Sequence, residues 1–518
     1  MEKMKRVLIS VYDKQGIVEF GRFLKEQNIE IVSTGGTAKL LTENGVPCLS
    51  VSDITGASEM LDGRVKSLHP KIHGAILAKR DNKNHMAQLK ESGIKPIDMV
   101  VINLYPFEAV ISKPNVELAE ALENIDIGGP TMVRAAAKNF KSVAVVTSPT
   151  QYQSIMDELA ENDGQLNEAT KKNLAVEAFR LTHKYDGVIT NYLQNLQEEL
   201  THPKNVVISF EKIQDLRYGE NPHQSAAFYK EIGAANSGIT DLQQLHGKEL
   251  SYNNIMDLDA VVKMVHTFNE PCSVIVKHSN PCGVAVGDDV FSAFEKAFAT
   301  DSVSAFGGIY GFNRPVDLKT AEQLRNIFIE VIIAPDYEPD ALQLLSKKKN
   351  LRLLKLDLKQ GLPIESNYRK VAGGLLIQSE DIKGVDDIEF KVVSQRQPTA
   401  DEWAAIKFGW KVVKWVKSNA VIYCRDDRTI GIGAGQMSRV DSSMLAVDKA
   451  GRANLDLAGT AVASDAFFPF RDGVDAAAEA GATAVIQPGG SVRDGEVIQA
   501  ANELNLAMVF TGMRHFRH

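Results

Sequence analysis

In the N-terminal part of the chain, short runs of apolar residues alternate with longer amphipathic stretches. Apolar runs of this length predict buried strands, and the amphipathic stretches predict helices that cover a sheet. The predicted strands are residues 7–11, 30–32, 99–102 and 142–146, and the predicted helices are residues 14–27 and 38–44. Strands and helices that alternate in this way predict an α/β domain with a parallel sheet and helices on both faces.

A different pattern begins at residue 168, where helical periodicity extends to about residue 200, with a break predicted at Asp186-Gly187. The polar, proline-containing segment 201–205 follows and predicts a boundary between a domain of residues 1–200 and a second part, residues 201–518. The second part is again α/β, with predicted helices at 254–269, 290–299, 407–417 and 442–452 and predicted strands at 273–276, 331–333, 420–423 and 482–486. A helix, a strand and a polar loop lead to Lys277-His278, and the same order expected before Ser418-Asn419 indicates two related halves.

The composition is that of an ordinary globular protein. A chain of 518 residues is too long for one core, and its 44% apolar and 24% charged content is typical of folded domains. The net charge of -8 and the pI of about 5.9 argue against a nucleic-acid or anionic-membrane surface. No apolar run approaches the ~18 residues of a membrane span, and the N-terminus does not resemble a secretory leader. The four cysteines show no disulfide framework, so we expect a cytoplasmic protein with reduced thiols.

Glycine-rich and polar loops follow the predicted strands of the first domain. One turn between a strand and a helix reads Ser33-Thr34-Gly35-Gly36-Thr37, where backbone N–H groups and the helix dipole favour a phosphate. Two cations lie in Arg64-Val65-Lys66-Ser67, and a predicted strand ends at Asn103-Leu104-Tyr105, the position at which open α/β sheets bind ligands. A further helix, which carries Lys138, opens with Asp126-Ile127-Gly128-Gly129-Pro130. Steric turns and solvated surface cations are the alternative interpretation of these loops.

The second part has its most reactive pair, Lys277-His278, directly after a predicted strand. Pro281 predicts an extended Asn280, and Gly283 predicts a turn, so the pair is expected on a constrained loop. The ammonium group next to His278 disfavours protonation of the imidazole, which would then be available as a base. A hydrogen-bonded structural histidine beside a solvated lysine is the alternative.

Two tempting motifs in the second part are rejected. The glycines of Gly431-Ile432-Gly433-Ala434-Gly435 are predicted to lie in a hairpin, not in the strand-to-helix turn of a dinucleotide site. The Pro281-Cys282 pair lacks the second cysteine and the H-x-E partner of a zinc deaminase. We therefore expect neither a nicotinamide cofactor nor a catalytic metal.

The ordered set of motifs resembles one family nearly from end to end. It runs from Ser10-Val11-Tyr12-Asp13-Lys14 through the loops above to Arg217–His223, 464–472 and the closing Arg514-His515-Phe516-Arg517-His518. This order is similar to that of the bifunctional purine-biosynthesis proteins that join AICAR transformylase to IMP cyclohydrolase. The resemblance implies a methylglyoxal-synthase-like (Rossmann-type) domain, followed by two cytidine-deaminase-like α/β units without zinc that divide near residues 360–400.

The resemblance also implies a role for individual residues. For ring closure it implies a pocket of Tyr12, Asp13, Lys14, Thr34, Gly35, Gly36, Thr37, Arg64, Val65, Lys66, Ser67, Asn103, Tyr105, Asp126, Ile127 and Gly128, with Lys66, Tyr105, Asp126 and the proton-transfer residue Lys138 as catalytic groups. For formyl transfer it implies Lys277, the base His278 and Asn419 as catalytic residues, and Arg217, Tyr218, Gly307, Glu330, Arg514 and Phe516 as AICAR ligands. Near the co-substrate 10-formyltetrahydrofolate it implies Val440, Phe467, Ser491 and Val492.

Two positions depart from the family pattern. Tyr12 stands where serine is common, so the phosphate contact there is expected to pass to the backbone, and Glu330 stands where aspartate can occur. The resemblance further implies a homodimer whose ligands are AICAR, the formyl folate, formyl-AICAR and IMP. A nucleotide-sensing regulatory protein and a single-activity enzyme with a degenerate partner domain are the alternatives.

Overall fold

A computed structural model describes residues 3–57, 60–61, 64–196, 202–232, 238–357, 361–362 and 366–518. The chain forms two compact units, Met1–Ser209 with Glu231–Gly233, and Phe210–Lys230 with Ala234–His518. The division between residues 209 and 210 is close to the predicted boundary after residue 200, which stays a prediction.

The first unit contains a five-stranded parallel sheet with the order β3-β2-β1-β4-β5. Its strands are β1 (Arg6–Val11), β2 (Glu30–Ser33), β3 (Leu49–Ser50), β4 (Met99–Asn103) and β5 (Ala144–Val146). Its helices are α1 (Ile17–Glu26), α2 (Gly35–Glu43), α3 (Val51–Thr55), α4 (Pro70–Leu77), α5 (Lys83–Glu91), α6 (Phe107–Ile111), α7 (Leu118–Glu123), α8 (Gly128–Lys138), α9 (Tyr152–Glu161) and α10 (Glu168–Asn195), with a 3₁₀ turn at Pro149–Gln151. The buried strands and the apolar faces of the helices form one core, so the predicted parallel α/β domain is confirmed.

The predicted break at Asp186-Gly187 is wrong, because α10 continues through both residues to Asn195. A Cβ atom on Gly187 would lie 3.2 Å from Cγ1 of Val207, so the glycine allows a neighbouring segment to pack closely against the helix. Close packing of this kind compensates the roughly 1 kcal/mol by which glycine disfavours a helix. The dipeptide therefore marks a packing contact and not a turn.

The second unit contains two six-stranded mixed sheets of matching topology. The strands of the first are β8 (Gln243–His246), β9 (Cys272–Lys277), β10 (Asn280–Val286), β11 (Ile309–Phe312), β12 (Val331–Ala334) and β13 (Arg352–Lys355), in the order β10-β9-β11-β12-β13-β8. The strands of the second are β16 (Lys391–Val392), β17 (Val421–Cys424), β18 (Thr429–Gly433), β19 (Ala461–Ser464), β20 (Ala484–Gln487) and β21 (Ala507–Phe510), in the order β16-β21-β20-β19-β17-β18. Each sheet has an antiparallel hairpin at one edge, three parallel strands inside and an antiparallel strand at the other edge.

The helices of this unit repeat in the same order between the strands. They are α11 (Tyr252–His266), α12 (Val290–Thr300), α13 (Ser302–Ala305), α14 (Leu318–Leu324), α15 (Pro339–Leu345), α16 (Ala400–Val413), α17 (Arg439–Arg452), α18 (Asp472–Glu479) and α19 (Asp494–Glu503), with 3₁₀ turns at Ile239–Asp241 and Val385–Asp387. Two small hairpins complete the unit: β6 (Phe210–Leu216) with β7 (Ala226–Glu231), and β14 (Ser366–Val371) with β15 (Gly374–Ser379). One core contains residues of both large sheets and of α11 and α16, so the two related halves are packed on each other.

The repeat has a different register from the predicted one. Helix α16 leads to Ser418-Asn419 without an intervening strand, in a stretch that the structure describes fully, and β17 follows. In each half, a helix is followed by the two strands of a hairpin. These elements are α11, β9 and β10 in the first half and α16, β17 and β18 in the second. Lys277 is the last residue of β9 and His278 follows it, whereas Asn419 precedes β17, so the two sites are not equivalent positions.

Candidate active sites

In the first unit, Asn103 joins the carboxyl ends of β1 and β4, where it is paired with Val11. Its Oδ1 accepts the backbone N–H groups of Tyr12 at 2.7 Å and Asp13 at 2.9 Å, and its Nδ2 donates to the Asp13 carbonyl at 3.0 Å. The rings of Tyr12 and Tyr105 meet edge to face with centroids 5.7 Å apart. Four predicted pocket residues are thus gathered at this sheet edge, and the N–H of Tyr12, expected to bind phosphate, already donates to Asn103.

The glycine turn at the start of α2 lies between two lysine ammonium groups. A Cβ on Gly35 would lie 3.7 Å from Nζ of Lys66, and a Cβ on Gly36 would lie 4.0 Å from Nζ of Lys14. Gly35 has a φ of 45°, in the left-handed region that favours glycine. Thr37 is buried in the first turn of the helix, where its hydroxyl donates to the Val11 carbonyl at 2.9 Å. Two cations at a helix N-terminus favour an anion, and the phosphate site predicted at this turn stays a prediction.

A half-buried carboxyl group, Asp126, lies at the N-terminus of α8. Its Oδ1 accepts the Gly129 N–H at 2.8 Å, and a Cβ on Gly129 would lie 2.3 Å from its Oδ2. A Cβ on Gly128 would lie 2.8 Å from Oγ of Ser67, so both glycines permit the close approach. Burial raises the pKa of Asp126, and burial together with the Asp126 charge raises the pKa of Tyr105. Adjacent acidic groups with raised pKa values are typical of proton-transfer sites.

The remaining predicted members of this pocket are near its rim. Thr34 shares a hydrogen bond of 2.8 Å with Ser10, which holds the start of α2 to the end of β1. Arg64 forms an ion pair with Glu123, and the side chains of Val65 and Ile127 are exposed. Their positions are compatible with a contact to a ligand that covers the edge of the sheet.

Lys138 is not part of this cluster in the structure. It is the last residue of α8, ten residues beyond Gly128, and it is exposed. At 1.5 Å per residue, its Cα is about 15 Å from that of Gly128, which is more than a lysine side chain spans. The neighbouring Asn139 donates to the carbonyls of Ile76 and Ala78, at the end of α4. Its role in proton transfer therefore stays a prediction.

In the second unit, Lys277 and His278 lie at the tip of the β9-β10 hairpin. The two turn residues, His278 and Ser279, have φ values of 55° and 59°, as a tight I′-type hairpin requires. The Asp257 carboxylate of α11 holds this turn by accepting the N–H of His278 at 3.2 Å, the N–H of Ser279 at 2.6 Å and the Ser279 hydroxyl at 3.3 Å. The imidazole is exposed at the tip, and Nζ of Lys277 donates to the Phe306 carbonyl at 2.8 Å.

The turn predicted at Gly283 is wrong, because this glycine lies within strand β10. A Cβ there would lie 1.9 Å from the Ala297 carbonyl oxygen, so the glycine lets helix α12 pack against the strand. The chain reverses direction earlier, at residues 278–279, where the sequence has no asparagine or glycine to signal a tight hairpin.

A side-chain contact brings Asn419 to this hairpin. Oδ1 of Asn280 accepts the Lys417 N–H at 3.0 Å, which ties the segment before β17 to the first residue after the turn. Nδ2 of Asn419 donates to the carbonyls of Gln436 at 2.9 Å and Met437 at 3.0 Å. The contact between Asn280 and Lys417 thus brings the segment that leads to Asn419 next to the hairpin that carries His278.

The predicted AICAR residues form two further groups. The Arg217 guanidinium lies 4.7 Å from the Tyr218 ring centroid and donates to its hydroxyl at 3.0 Å. Oε2 of Glu330 accepts Nδ2 of Asn254 at 3.1 Å and pairs with Arg352 at 3.4 Å. Burial lowers the pKa of Arg352, the Glu330 charge opposes this shift and the Arg217 cation adds to it. Arg352 therefore links these groups electrostatically, although no local pattern in the sequence indicates such a role.

The C-terminal segment is fixed by a fully buried carboxylate, Asp465. It accepts a hydrogen bond from Ser418 and pairs with Arg439 at 3.1 Å, and its backbone carbonyl accepts the His515 N–H at 3.0 Å. The Arg514 guanidinium lies 4.6 Å from the centroid of the Phe516 ring. Asp465, like Asp257 and Arg352, was not predicted as a site residue, because its partners are distant in sequence.

The predicted folate residues lie at one end of the strands of the second large sheet, where β19 and β20 end. Phe467 follows β19, Ser491 and Val492 follow β20, and Val440 is in the first turn of α17. Because β17 is antiparallel to β19, with Val421 opposite Ser464, Asn419 also lies at this end. Gly307, with a φ of 74°, precedes β11 of the first sheet and donates its N–H to the Phe328 carbonyl at 2.8 Å. These residues are partly or fully exposed, and their contact with a ligand stays a prediction.

Neither a metal centre nor a membrane span emerges from the described part of the chain. Its histidine, cysteine and acidic side chains form no group of three or more that could hold an ion. Among the same residues, no helix combines the length and the hydropathy needed to cross a bilayer.

Comparison with known proteins identifies both units. The family model described as AICARFT/IMPCHase bienzyme matches residues 136–449, and the model described as MGS-like domain matches residues 16–131. The chain is 52% identical over 514 residues to the bifunctional purine biosynthesis protein PurH of Bacillus cereus (strain ATCC 10987 / NRS 248), covering 99% of this chain and 100% of that one. The PurH protein of Bacillus anthracis is 53% identical over 514 residues, with the same shares covered.

A solved crystal structure of a protein called ForH is 30% identical and covers 37% of this chain and 99% of its own, with a TM-score of 0.34. The assignment rests on the family models and on relatives that are similar over their whole length. The chain belongs to the AICARFT/IMPCHase bienzyme family, as an enzyme of purine biosynthesis that joins AICAR formyltransferase to IMP cyclohydrolase.

Proposed function

We propose that formyl transfer from 10-formyltetrahydrofolate to AICAR takes place at the centre formed by Lys277, His278 and Asn419, and ring closure to IMP at the pocket around Asp126. The observation that carries the first assignment is the bond between Asn280 and the Lys417 N–H, which joins the two halves at the hairpin. A formyltransferase needs a folate-type formyl donor, and the loop after β20 with its exposed Val492 supplies an open edge for such a flat molecule.

His278 acts as the general base in the proposed transfer. The amino group of AICAR is a poor nucleophile, because its lone pair is delocalised into the ring. It attacks the formyl carbon, and His278 accepts its proton. The tetrahedral intermediate then collapses: the bond to the folate nitrogen breaks, and that nitrogen receives the proton from the His278 imidazolium. General-base assistance contributes typically about 10²–10⁴-fold. His278 is suited to this because its ring is exposed while its backbone is fixed by Asp257.

Lys277 stabilises charge in the same reaction. One of its three N–H donors is directed to the Phe306 carbonyl, which sets the position of the ammonium group. The others can donate to the oxyanion of the intermediate or to the departing folate nitrogen, and an ammonium ion stabilises the negative charge at either place. Asn419 orients the reactants without adding a titrating group, since its own amide is held by two carbonyls.

Ring closure uses the first unit. The carboxamide nitrogen attacks the formyl group of the same molecule and water is lost, so the enzyme mainly fixes the conformer and moves protons. Asp126 and Tyr105 carry adjacent exchangeable protons, and Lys66 and Lys14 at the glycine turn bind the phosphate. Lys138 is retained as the fourth proton-transfer candidate on the strength of the family resemblance alone.

A homodimer in the cytoplasm is also proposed. Fully exposed apolar side chains, Met437 and Val492, lie beside the centre of formyl transfer, and Val303 is 83% exposed. Exposed apolar side chains near a site support a protein interface there. To test this, the His278→Ala and Arg514→Ala chains are refolded together. Formyl transfer that is regained in the mixture indicates a site shared between subunits. A monomeric mixture with no more activity than the two variants have separately contradicts it.

A turnover experiment with two substrates tests the assignment of the two sites. His278→Ala is expected to lose formyl transfer from 10-formyltetrahydrofolate to AICAR, yet to cyclise supplied formyl-AICAR normally. Asp126→Asn is expected to show the opposite pattern. A sensor protein would bind AICAR without product, and loss of both activities from either substitution would overturn the separate sites.

A further inference from the structure

The C-terminal segment, residues 511–518, follows β21, and from Arg514 onward it alternates between exposed and buried positions. His515 is 1% exposed and Arg517 is half-buried, whereas Arg514 and Phe516 are exposed. An alternation of this kind is typical of extended chain, in which successive side chains point to opposite sides. The segment therefore has an inner side, His515 and Arg517, that attaches it to the protein. Its outer side carries the two proposed AICAR ligands.

We propose that Asp381 is a positioning residue for the AICAR site, because it holds His515 on the inner side and so fixes the two ligands on the outer side. Oδ2 of Asp381 lies 2.5 Å from Nδ1 of His515. The imidazole also contacts the buried Trp410 ring, with the two centroids 5.2 Å apart. A carboxylate at this distance accepts a hydrogen bond from Nδ1–H, which the ring donates whether or not Nε2 is protonated as well. The role in AICAR binding rests on the proposed function of Arg514 and Phe516, whereas the contact itself does not.

The Asp381 carboxylate is charged and is itself held in place. Burial opposes the charge, but the hydrogen bond from the imidazole and the Lys414 ammonium outweigh burial, so the pKa of Asp381 is lowered. Nζ of Lys414, at the end of α16, lies 3.6 Å from the carboxylate and donates to the Lys383 carbonyl at 2.6 Å. Nζ of Lys263 in α11 pairs with the adjacent Glu380 at 3.2 Å. Both halves of the unit therefore fix the short stretch of chain that presents Asp381.

The other inner residue, Arg517, fixes the end of the C-terminal segment. Its N–H donates to the Ser418 hydroxyl at 3.2 Å, and its carbonyl accepts the Ser418 N–H at 2.8 Å. On the outer side, the Arg514 guanidinium lies 4.6 Å from the centroid of the Phe516 ring. Since these two side chains flank His515, their position depends on the side-chain anchor between them as well as on the backbone. A ligand that binds the outer side then meets a segment that is already ordered, which lowers the entropic cost of binding.

Titration calorimetry of the full chain with AICAR tests this role, with IMP present at saturation to fill the cyclohydrolase pocket. We expect Asp381→Ala to raise the Kd for AICAR about tenfold, since the outer side chains must then be ordered as AICAR binds. The variant should still fold, because the His515 N–H keeps its bond to the Asp465 carbonyl at 3.0 Å. The KM for AICAR should rise with the Kd, while kcat and the cyclisation of formyl-AICAR stay close to the wild-type values. His515→Phe, which keeps a ring beside Trp410 but lacks Nδ1–H, should give the same rise.

Three comparisons separate positioning from general damage. Asp387→Ala is the matched control and should keep the wild-type Kd, because this carboxylate holds the same stretch of chain through the Gly384 N–H at 2.8 Å. Asp381→Ala combined with His515→Phe should bind AICAR no more weakly than either single variant, since both remove one contact. In a chain that already carries Arg514→Ala, Asp381→Ala should raise the Kd less than it does in the wild type.

Four results would overturn the positioning role. They are an unchanged Kd in Asp381→Ala or in His515→Phe; an equal rise in Asp387→Ala; additive effects of Asp381→Ala and His515→Phe; and a full further rise in the Arg514→Ala chain. If Asp381→Ala does not fold, Asp381→Asn takes its place, with a smaller rise expected because its amide oxygen remains an acceptor. An unchanged Kd in Arg514→Ala would instead refute the proposed ligand, and the positioning role with it.

Discussion

Asp257 never needs to touch a substrate, yet its replacement by alanine should impair formyl transfer. Its carboxylate accepts three hydrogen bonds from the His278-Ser279 turn. Both turn residues have positive φ, and each such non-glycine residue costs about 1–2 kcal/mol. Bonds to a charged group contribute about 1.5–3 kcal/mol each when well buried and less in a partly exposed turn. The carboxylate therefore offsets roughly the whole strain of the turn, about 2–4 kcal/mol.

Without this support the turn should relax and His278 should move relative to the formyl group. A displacement of about 1 Å at a reacting group can cost roughly 10²-fold in rate. For Asp257→Ala we expect a fall of about 10² in kcat for formyl transfer, with little change in the KM for AICAR. Cyclisation of supplied formyl-AICAR, which belongs to the other unit, is the internal control and should be unchanged.

A second substitution separates positioning from general damage. Glycine adopts positive φ freely, so Ser279→Gly relieves half of the strain that Asp257 offsets. Asp257→Ala with Ser279→Gly should therefore regain part of the lost kcat, and Asp257→Asn, which keeps one acceptor, should lose less than Asp257→Ala. The measurement is steady-state formyl transfer with AICAR varied. An unchanged kcat in Asp257→Ala, or no recovery in the double variant, would refute the reasoning.

Three further predictions concern both units. Asp126→Asn should reduce cyclisation of formyl-AICAR more than Lys138→Ala does, because Lys138 lies at the far end of α8; equal losses in stopped-flow assays would contradict this. If the Asp126 carboxylate is the base, its raised pKa places the acid limb of the cyclisation rate above the usual carboxyl value of about 4, with the rate increasing as the pH rises; a limb retained in Asp126→Asn would exclude it. Glu402→Gln should lower stability at pH 7 by about 2–3 kcal/mol, since the Arg396 pair holds the pKa of Glu402 at about 2. That contribution is present above the unfolded-state pKa of 4.5 and is lost as the pH falls through about 2, so denaturant midpoints of variant and wild type should converge in acid.

The elements that could be predicted from the sequence are those with strong local patterns. Strands of the first unit are continuous apolar runs buried on both faces, which is why their parallel packing could be predicted from the alternation of strands with helices. The hairpin context of Gly431–Gly435 was predicted correctly, because a polar turn separates two short strands there. Gly187 and Gly283 were misread for one common reason. A glycine selected for close packing against another element has the same local sequence as a glycine in a turn, and only the tertiary contact distinguishes the two.

The candidate centre of formyl transfer shows a second limit. Lys277 and His278 stand out because they are reactive and follow a strand, but the groups that position them carry no local signal. Asp257 precedes the turn by 21 residues and looks like any exposed helix residue in the sequence, while Asp465 is 47 residues from its partner Ser418. Reactive residues can be proposed from their type and spacing, but a supporting carboxylate is defined by backbone N–H groups that reach it only in the fold.

The same distinction decides how Lys138 and Asp126 should be weighed. Both are predicted as proton-transfer residues because the sequence resembles a family that uses them. Such a resemblance indicates which residues take part but not where their side chains lie. The structure adds geometry for Asp126, whose carboxyl lies beside Tyr105 and accepts the Gly129 N–H in a half-buried setting that raises the pKa of both acids. It adds none for Lys138, whose Cα lies about 15 Å along α8 from that of Gly128. If Lys138 moves protons in the reaction, the bound substrate or a shift of α8 must bring it to the reacting atoms. Lys138→Arg should then retain cyclisation of formyl-AICAR only if the longer arginine side chain reaches those atoms.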